Sequence, residues 1–162
     1  MELCPFAKIP YEKGLIRLSI SDKKTEEELI DFFINELENL NNKSEKELST
    51  TLIVFPYAHT SFYDFYDFSG ELEDLISDAG LSDFVQLVCF HPGFHFEGLA
   101  NEDRANLVNR APYPVIQLIR RAEMLRALKD PKEGERISFN NTKKLSSLAD
   151  SDLRELFHYL EF

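Results

Sequence analysis

Apolar side chains recur along this chain in two periods, and the alternation between the two predicts its elements. Leu15-Ile16-Arg17-Leu18-Ser19-Ile20 has the short alternating pattern of a strand. Thr25-Glu26-Glu27-Glu28 follows, where Thr25 can cap a helix and Glu28 can reach back to it as a capping box. Leu29, Ile30, Phe33, Ile34, Leu37 and Leu40 then return at the spacing of one buried helical face. Positions 41–49 are polar and aperiodic, a loop that leads into a strand at Thr51-Leu52-Ile53-Val54-Phe55-Pro56. A second helix is predicted within 61–79, with Phe65, Phe68, Leu72, Leu75, Ile76 and Ala79 on one face and Asp64, Asp67, Glu71, Asp74 and Asp78 on another. Gly70 weakens it by about 1 kcal/mol and is a candidate break, and Gly80 is placed to end it. Phe84-Val85-Gln86-Leu87-Val88-Cys89-Phe90 is nearly continuous apolar sequence, the mark of a central strand covered on both faces.

Strand, helix, strand, helix, strand at these spacings predicts parallel pairing through right-handed helical crossovers. The expected fold is therefore a single α/β domain over residues 1–162, with a small, mainly parallel sheet and additional C-terminal helices. Asn101 is a candidate cap of a short helix. Pro112-Tyr113-Pro114 would open another, with Pro114 at its first position, Val115, Ile119, Ala122 and Leu125 buried, and Arg120, Arg121, Arg126 and Lys129 elsewhere. Arg136-Ile137-Ser138-Phe139 reads as an edge strand, and a closing helix from about Asp150 would turn Leu153, Leu156, Phe157 and Leu160 inward. The chain has no internal repeat and no low-complexity tract.

Composition supports one self-sufficient core. A chain of 162 residues with 43% hydrophobic residues, fourteen of them Phe, can bury enough apolar surface to fold without staples. The net charge of -11 argues against nucleic acid and anionic membranes as partners, because both want clustered Lys and Arg. No apolar run approaches the roughly 20 residues of a bilayer span, and the first residues lack a basic region followed by an apolar one, so a soluble, cytoplasmic protein is expected. Cys4 and Cys89 are expected to be reduced, Cys89 because it sits in a strand where a thiol behaves as a small hydrophobe.

Chemistry concentrates where the third strand ends, in Phe90-His91-Pro92-Gly93-Phe94-His95-Phe96-Glu97-Gly98. Ligands of parallel α/β sheets bind beyond the carboxyl ends of the strands, which places His91, His95 and the His59 of the second strand's exit in one region. Pro92-Gly93 rules against a helix that would join His91 and His95, and suits the centre of a type II turn. Beyond the turn, alternation would send Phe94 and Phe96 to one face and His95 and Glu97 to the other. The bland alternative is a turn anchored by its phenylalanines, with His91 satisfying backbone groups. Zinc is disfavoured because Cys4, Cys89, His91 and His95 lack the closely spaced ligand pairs of a structural site.

Four groups of residues together resemble a bacterial domain-of-unknown-function family, the one numbered 1415. They are Cys4-Pro5-Phe6-Ala7 with Gly14 and Arg17; Asp64-Phe65-Tyr66-Asp67-Phe68; Phe90-His91-Pro92 with Phe96 and Gly98; and Asn109-Arg110-Ala111-Pro112-Tyr113-Pro114. The resemblance runs from about Cys4 to Leu128 and implies no activity. Family members usually carry a helix before the Cys-Pro-Phe-Ala motif, so part of a pocket wall is expected to be missing here. Two histidines of the family pattern are replaced by Tyr57 and Gln117.

The resulting expectation is a small-molecule-binding protein, with an enzyme acting on a small polar or anionic molecule slightly favoured, and a pocket at the carboxyl edge of the sheet. His91, Cys4 and Asp64 are the candidate catalytic residues, and Arg110, Asn109, His95, Arg17 and Asp67 the candidate ligand-binding ones. Cys4 could serve as a nucleophile if His91 lowered its pKa. Arg110 could anchor an anion or pair with Asp64 or Asp67. Haem is a second possibility, held by a thiolate before proline or by an imidazole; a non-catalytic interaction module is a third. The enzyme expects perturbed titration at His91 or Cys4, the interaction module an exposed apolar patch, and a purely structural polar network an Arg110 fully paired within the protein. Oligomeric state is open.

Overall fold

The computed structural model describes residues 3–4, 6–128, 130 and 132–160. Pro5 and Lys129, both named above, lie outside the described residues. A short helix α1 (Lys8–Glu12) leads into strand β1 (Ile16–Ile20), helix α2 (Glu26–Asn42), strand β2 (Thr50–Val54), helix α3 (Phe62–Asp78) and strand β3 (Val85–Phe90). A 3-10 helix (Arg104–Asn109), strand β4 (Val115–Arg120), and helices α4 (Arg121–Ala127), α5 (Glu133–Ser147) and α6 (Asp150–Leu156) complete the α/β domain.

The helix boundaries follow from local chemistry. Thr25 is the N-cap residue of α2, but its hydroxyl donates to Glu28 Oε2 at 2.7 Å and bonds no backbone N–H of the first turn. Gly70 does not interrupt α3. That helix ends in a Schellman arrangement, with Gly80 at φ 69° donating to Ser77 O and Leu81 donating to Ile76 O, both at 2.9 Å.

The expected mainly parallel sheet is corrected to a mixed one, in the order β1-β2-β4-β3. Only β1 and β2 pair in parallel, β4 runs antiparallel to both β2 and β3, and β3, expected at the centre, is an edge strand because β4 takes the place beside β2. The crossover through α3 thus leaves a gap one strand wide, which β4 fills. The periodicity of 115–125 admits a helix, but Val115, Ile116 and Ile119 are β-branched and pack better on a pleated surface. Only its second half, α4, is helical. The edge strand expected at 136–139 is likewise corrected, because these residues lie inside α5. There Ile137, Asn141 and Leu145 follow the helical period and face inward, while Phe139 is 70% exposed. Asp103, not Asn101, caps the 3-10 helix, accepting from Ala105 N–H at 2.8 Å. In α6 Leu153 is buried, as is Phe157 just beyond it, whereas Leu156 remains exposed.

Strand register divides the sheet into two unlike faces. Thr51, Ile53, Leu87, Ile116 and Leu118 point to the side that α2 and α3 cover, and all are buried there with Leu29, Phe33, Phe65 and Leu72. The opposite face carries three cross-strand rows: Ile16-Thr50-Ile119-Gln86, Leu18-Leu52-Gln117-Val88 and Ile20-Val54-Val115-Phe90. None of these residues is charged, yet Leu18 and Ile20 are 62% and 61% exposed. A separate apolar cluster, Leu107, Leu145, Leu153 and Phe157, joins the 3-10 helix to α5 and the end of the chain.

Candidate functional site

The carboxyl ends of β2 and β3 do bring the three histidines together. The Phe62 ring lies 5.7 Å from the ring of His91 and 4.9 Å from that of His95, and Phe65 stacks on His91 at 5.4 Å. The Gly93 N–H donates to His91 Nδ1 at 3.0 Å, which fixes the proton on Nε2; that nitrogen donates to His59 O at 3.0 Å. Both ring nitrogens of His91, which is 2% exposed, are thus engaged by backbone. Desolvation by burial lowers its pKa, opposed in part by the hydrogen bond to His59 O. His59 has φ 53°, stacks on Phe68 at 4.2 Å and leaves Nε2 buried without a hydrogen-bond partner among the described residues. Its pKa is also lowered, chiefly by desolvation.

The turn itself differs from expectation. Phe94 N–H donates to His91 O at 3.1 Å, but Gly93 is not among the glycines with positive φ, so the turn is not type II. No strand follows it, and the expected alternation fails: Phe94 is buried, Phe96 is exposed and meets it edge-on, and His95 contacts Tyr63 OH and Gly93 O at 3.3 Å each.

The other candidates are dispersed. Arg110 donates through Nε to Phe94 O at 3.0 Å and through Nη2 to Asn101 O and Oδ1 at 2.6 and 2.8 Å, while its own carbonyl accepts from Tyr159 OH. It is held by oxygen dipoles and pairs with neither Asp64 nor Asp67, both exposed on α3. Asn109 ties the end of β3, donating to Cys89 O at 3.1 Å and accepting from His91 N–H. Arg17 forms a bidentate pair with the buried Glu36, at 2.6 and 2.9 Å, and Ser19 adds a third hydrogen bond to that carboxylate. These partners outweigh desolvation and hold Glu36 below the usual carboxylate range. Cys4 lies in a shallow cavity of about 390 Å³ beside Asn141 of α5. Desolvation raises its pKa, the opposite of activation by an imidazole, and no hydrogen bond or ring contact joins it to His91 among the described residues. Both cysteines are free. Among the described residues no three His, Cys, Asp or Glu side chains gather to hold a metal ion, and no helix is long and apolar enough to cross a membrane.

A larger cavity, about 670 Å³, opens at the other end of the sheet, over the amino ends of β1 and β2. Phe6, Ile9 and Pro10 from the α1 region and Ile119 supply its apolar walls, and Ser49, Thr50 and Gln117 polar groups. Gln117 Nε2 donates to Thr50 Oγ1 at 3.1 Å, Thr50 donates to Leu118 O at 2.7 Å, and Ser49 donates to Glu123. Arg126 neutralises Glu45, while Lys13 and Lys46 form no ion pair among the described residues. None of the candidate residues chosen from the sequence lines this cleft. The available signal was Gln117, an amide inside the apolar run Val115-Ile116-Gln117-Leu118-Ile119, at a position where the resemblance expected a histidine.

No curated protein and no solved structure matches the chain. The match to a family model is extensive: residues 1–155 fit the one described as protein of unknown function (DUF1415), and the chain belongs to that family.

Proposed function

We propose that this protein binds a small amphipathic anion in the cleft between α1, α4 and the adjoining ends of β2 and β4. The make-up of that cleft carries the reading. Its volume of about 670 Å³ suits a small molecule. Its apolar walls can take a hydrocarbon body, and among the described residues Lys13 and Lys46 offer two cations without an ion pair against one remaining carboxylate of the lining, that of Glu123. In a chain of net charge -11 this is a local reversal of sign, suited to drawing in a carboxylate. Binding is favoured over catalysis because both ring nitrogens of His91, the candidate catalytic imidazole, are engaged by backbone, and Arg110, the candidate anion anchor, is turned onto Phe94 and Asn101.

Octanoate is a suitable probe. Isothermal titration should show saturable octanoate binding, at least tenfold tighter than that of octanol. Lys13→Glu with Lys46→Glu should abolish the preference, and Ala127→Trp, at the exposed end of α4, should block the cleft without touching the core. No octanoate binding, or binding indifferent to both changes, would refute the reading.

A further inference from the structure

We propose that the second face of the sheet, half-buried over its middle and open at Leu18 and Ile20, continues the cleft and seats the apolar tail of a long-chain amphipathic acid. The proposal rests on the cleft reading and specifies its ligand class. Register places Gln117, in the cleft, in one row with Leu52 and Leu18, and the next row holds Val54 and Ile20. A path from Thr50 to Val54 along β2 is about 13 Å long and passes no charged residue of the sheet on this face. Leu18 and Ile20 are neighbours on the same face of β1, so they extend a contiguous apolar surface; scattered exposed hydrophobics are commonplace, and a patch that opens from a cavity is not.

The size of the face decides between occupants. Four strands span about 14 Å and five residues about 13 Å, a footprint on the order of 200 Å². A stable protein interface wants about 800 Å² from each partner. The patch is too small to hold a second copy of this chain by itself, and it is wide enough for one hydrocarbon chain. Continuity with the lysine-bearing cleft supplies the polar anchor at one end. The acid head sits by Lys13 and Lys46, and the tail runs over Leu52 toward Leu18, Val54 and Ile20.

Titration of hexanoate, octanoate, decanoate and dodecanoate, each below its micelle concentration, tests this. In the wild type each added methylene should tighten binding about fourfold. In the double variant Leu18→Asn, Ile20→Asn, hexanoate binding should be unchanged, which also reports an intact fold, while dodecanoate should lose at least tenfold. A full chain-length gain in the variant would overturn the proposal and leave the cleft reading standing. Failure of all four acids to bind the wild type would overturn the cleft reading as well. Sedimentation of the wild type as a dimer that the variant makes monomeric would assign the face to a second copy and overturn the proposal.

Discussion

Replacing Arg120 with Met should cost far more stability than its position beside two other cationic residues, Arg121 and Arg126, suggests. Arg120 is 5% exposed and lies over the Phe84 ring at 5.0 Å. Its guanidinium donates to Leu48 O at 3.0 Å, Leu40 O at 2.7 Å and Lys43 O at 2.6 Å, gathering the carboxyl end of α2 and the loop that enters β2. Met keeps most of the packing on Phe84 and removes every donor. Leu48 is buried and its carbonyl has no other donor among the described residues, so orphaning it costs about 1–3 kcal/mol, while Leu40 O loses its shorter bond and keeps only the one from Lys43 N–H at 3.4 Å, a net loss of about 0.5–1.5 kcal/mol. The third carbonyl belongs to an exposed residue and can be rehydrated. The expected loss is therefore about 3 kcal/mol, within a range of about 1.5–4.5, or roughly 6–12 °C in melting temperature for a chain of this length. Arg120→Lys, a point donor without the planar fork, should fall between wild type and Met. Urea unfolding followed by far-UV circular dichroism measures both, with the denaturant slope checked for constancy. A loss below about 1 kcal/mol for Arg120→Met would show that the three bonds add nothing net and refute the reasoning.

Arg110→Lys should lower stability by about 1–3 kcal/mol in the same assay, since an ammonium cannot span Phe94 O and Asn101 together; a stability unchanged by the substitution would count against this. Asp64→Asn with Asp67→Asn should stay within about 0.5 kcal/mol of wild type, as both are exposed on α3, and a larger loss would reveal a partner for one of them. The pKa values of His91 and His59 are lowered by burial, so the folded state binds fewer protons than the unfolded one between the folded value and about 6.5. Their contribution to stability is complete above about 6.5 and is lost as pH falls toward the folded value. His91→Asn keeps an acceptor for the Gly93 N–H but cannot titrate, so stability should fall less steeply between about pH 7 and pH 5. An unaltered slope would argue that His91 does not drive it.

The sequence by itself determined the elements whose periodicity is local and unambiguous. Leu29, Phe33, Leu37 and Leu40 lie together on a helix, where side-chain direction repeats every 3.6 residues. The apolar run Val85 to Phe90, too short and too continuous for an amphipathic helix, read as a strand, though its place at the edge of the sheet was not legible. The gathering of His59, His91 and His95 was legible too, since strands that run in the same direction end at the same edge. Residues 115–120 were not legible: a β-branched run after Pro-Tyr-Pro fits the first turns of a helix until a gap between β2 and β3 demands a strand, and that gap exists only in the assembled sheet. Tertiary structure also decided what each polar group does. Arg17, Asn109, Arg110 and His91 stood out by residue type, but their partners are a helix 19 positions away, the end of a strand, two loop carbonyls and a turn amide. The cleft was beyond the reach of sequence for the same reason. Lys13, Lys46, Gln117 and Ala127 come from four separate segments, and only the packing of α1 and α4 beside the open face brings them around one cavity.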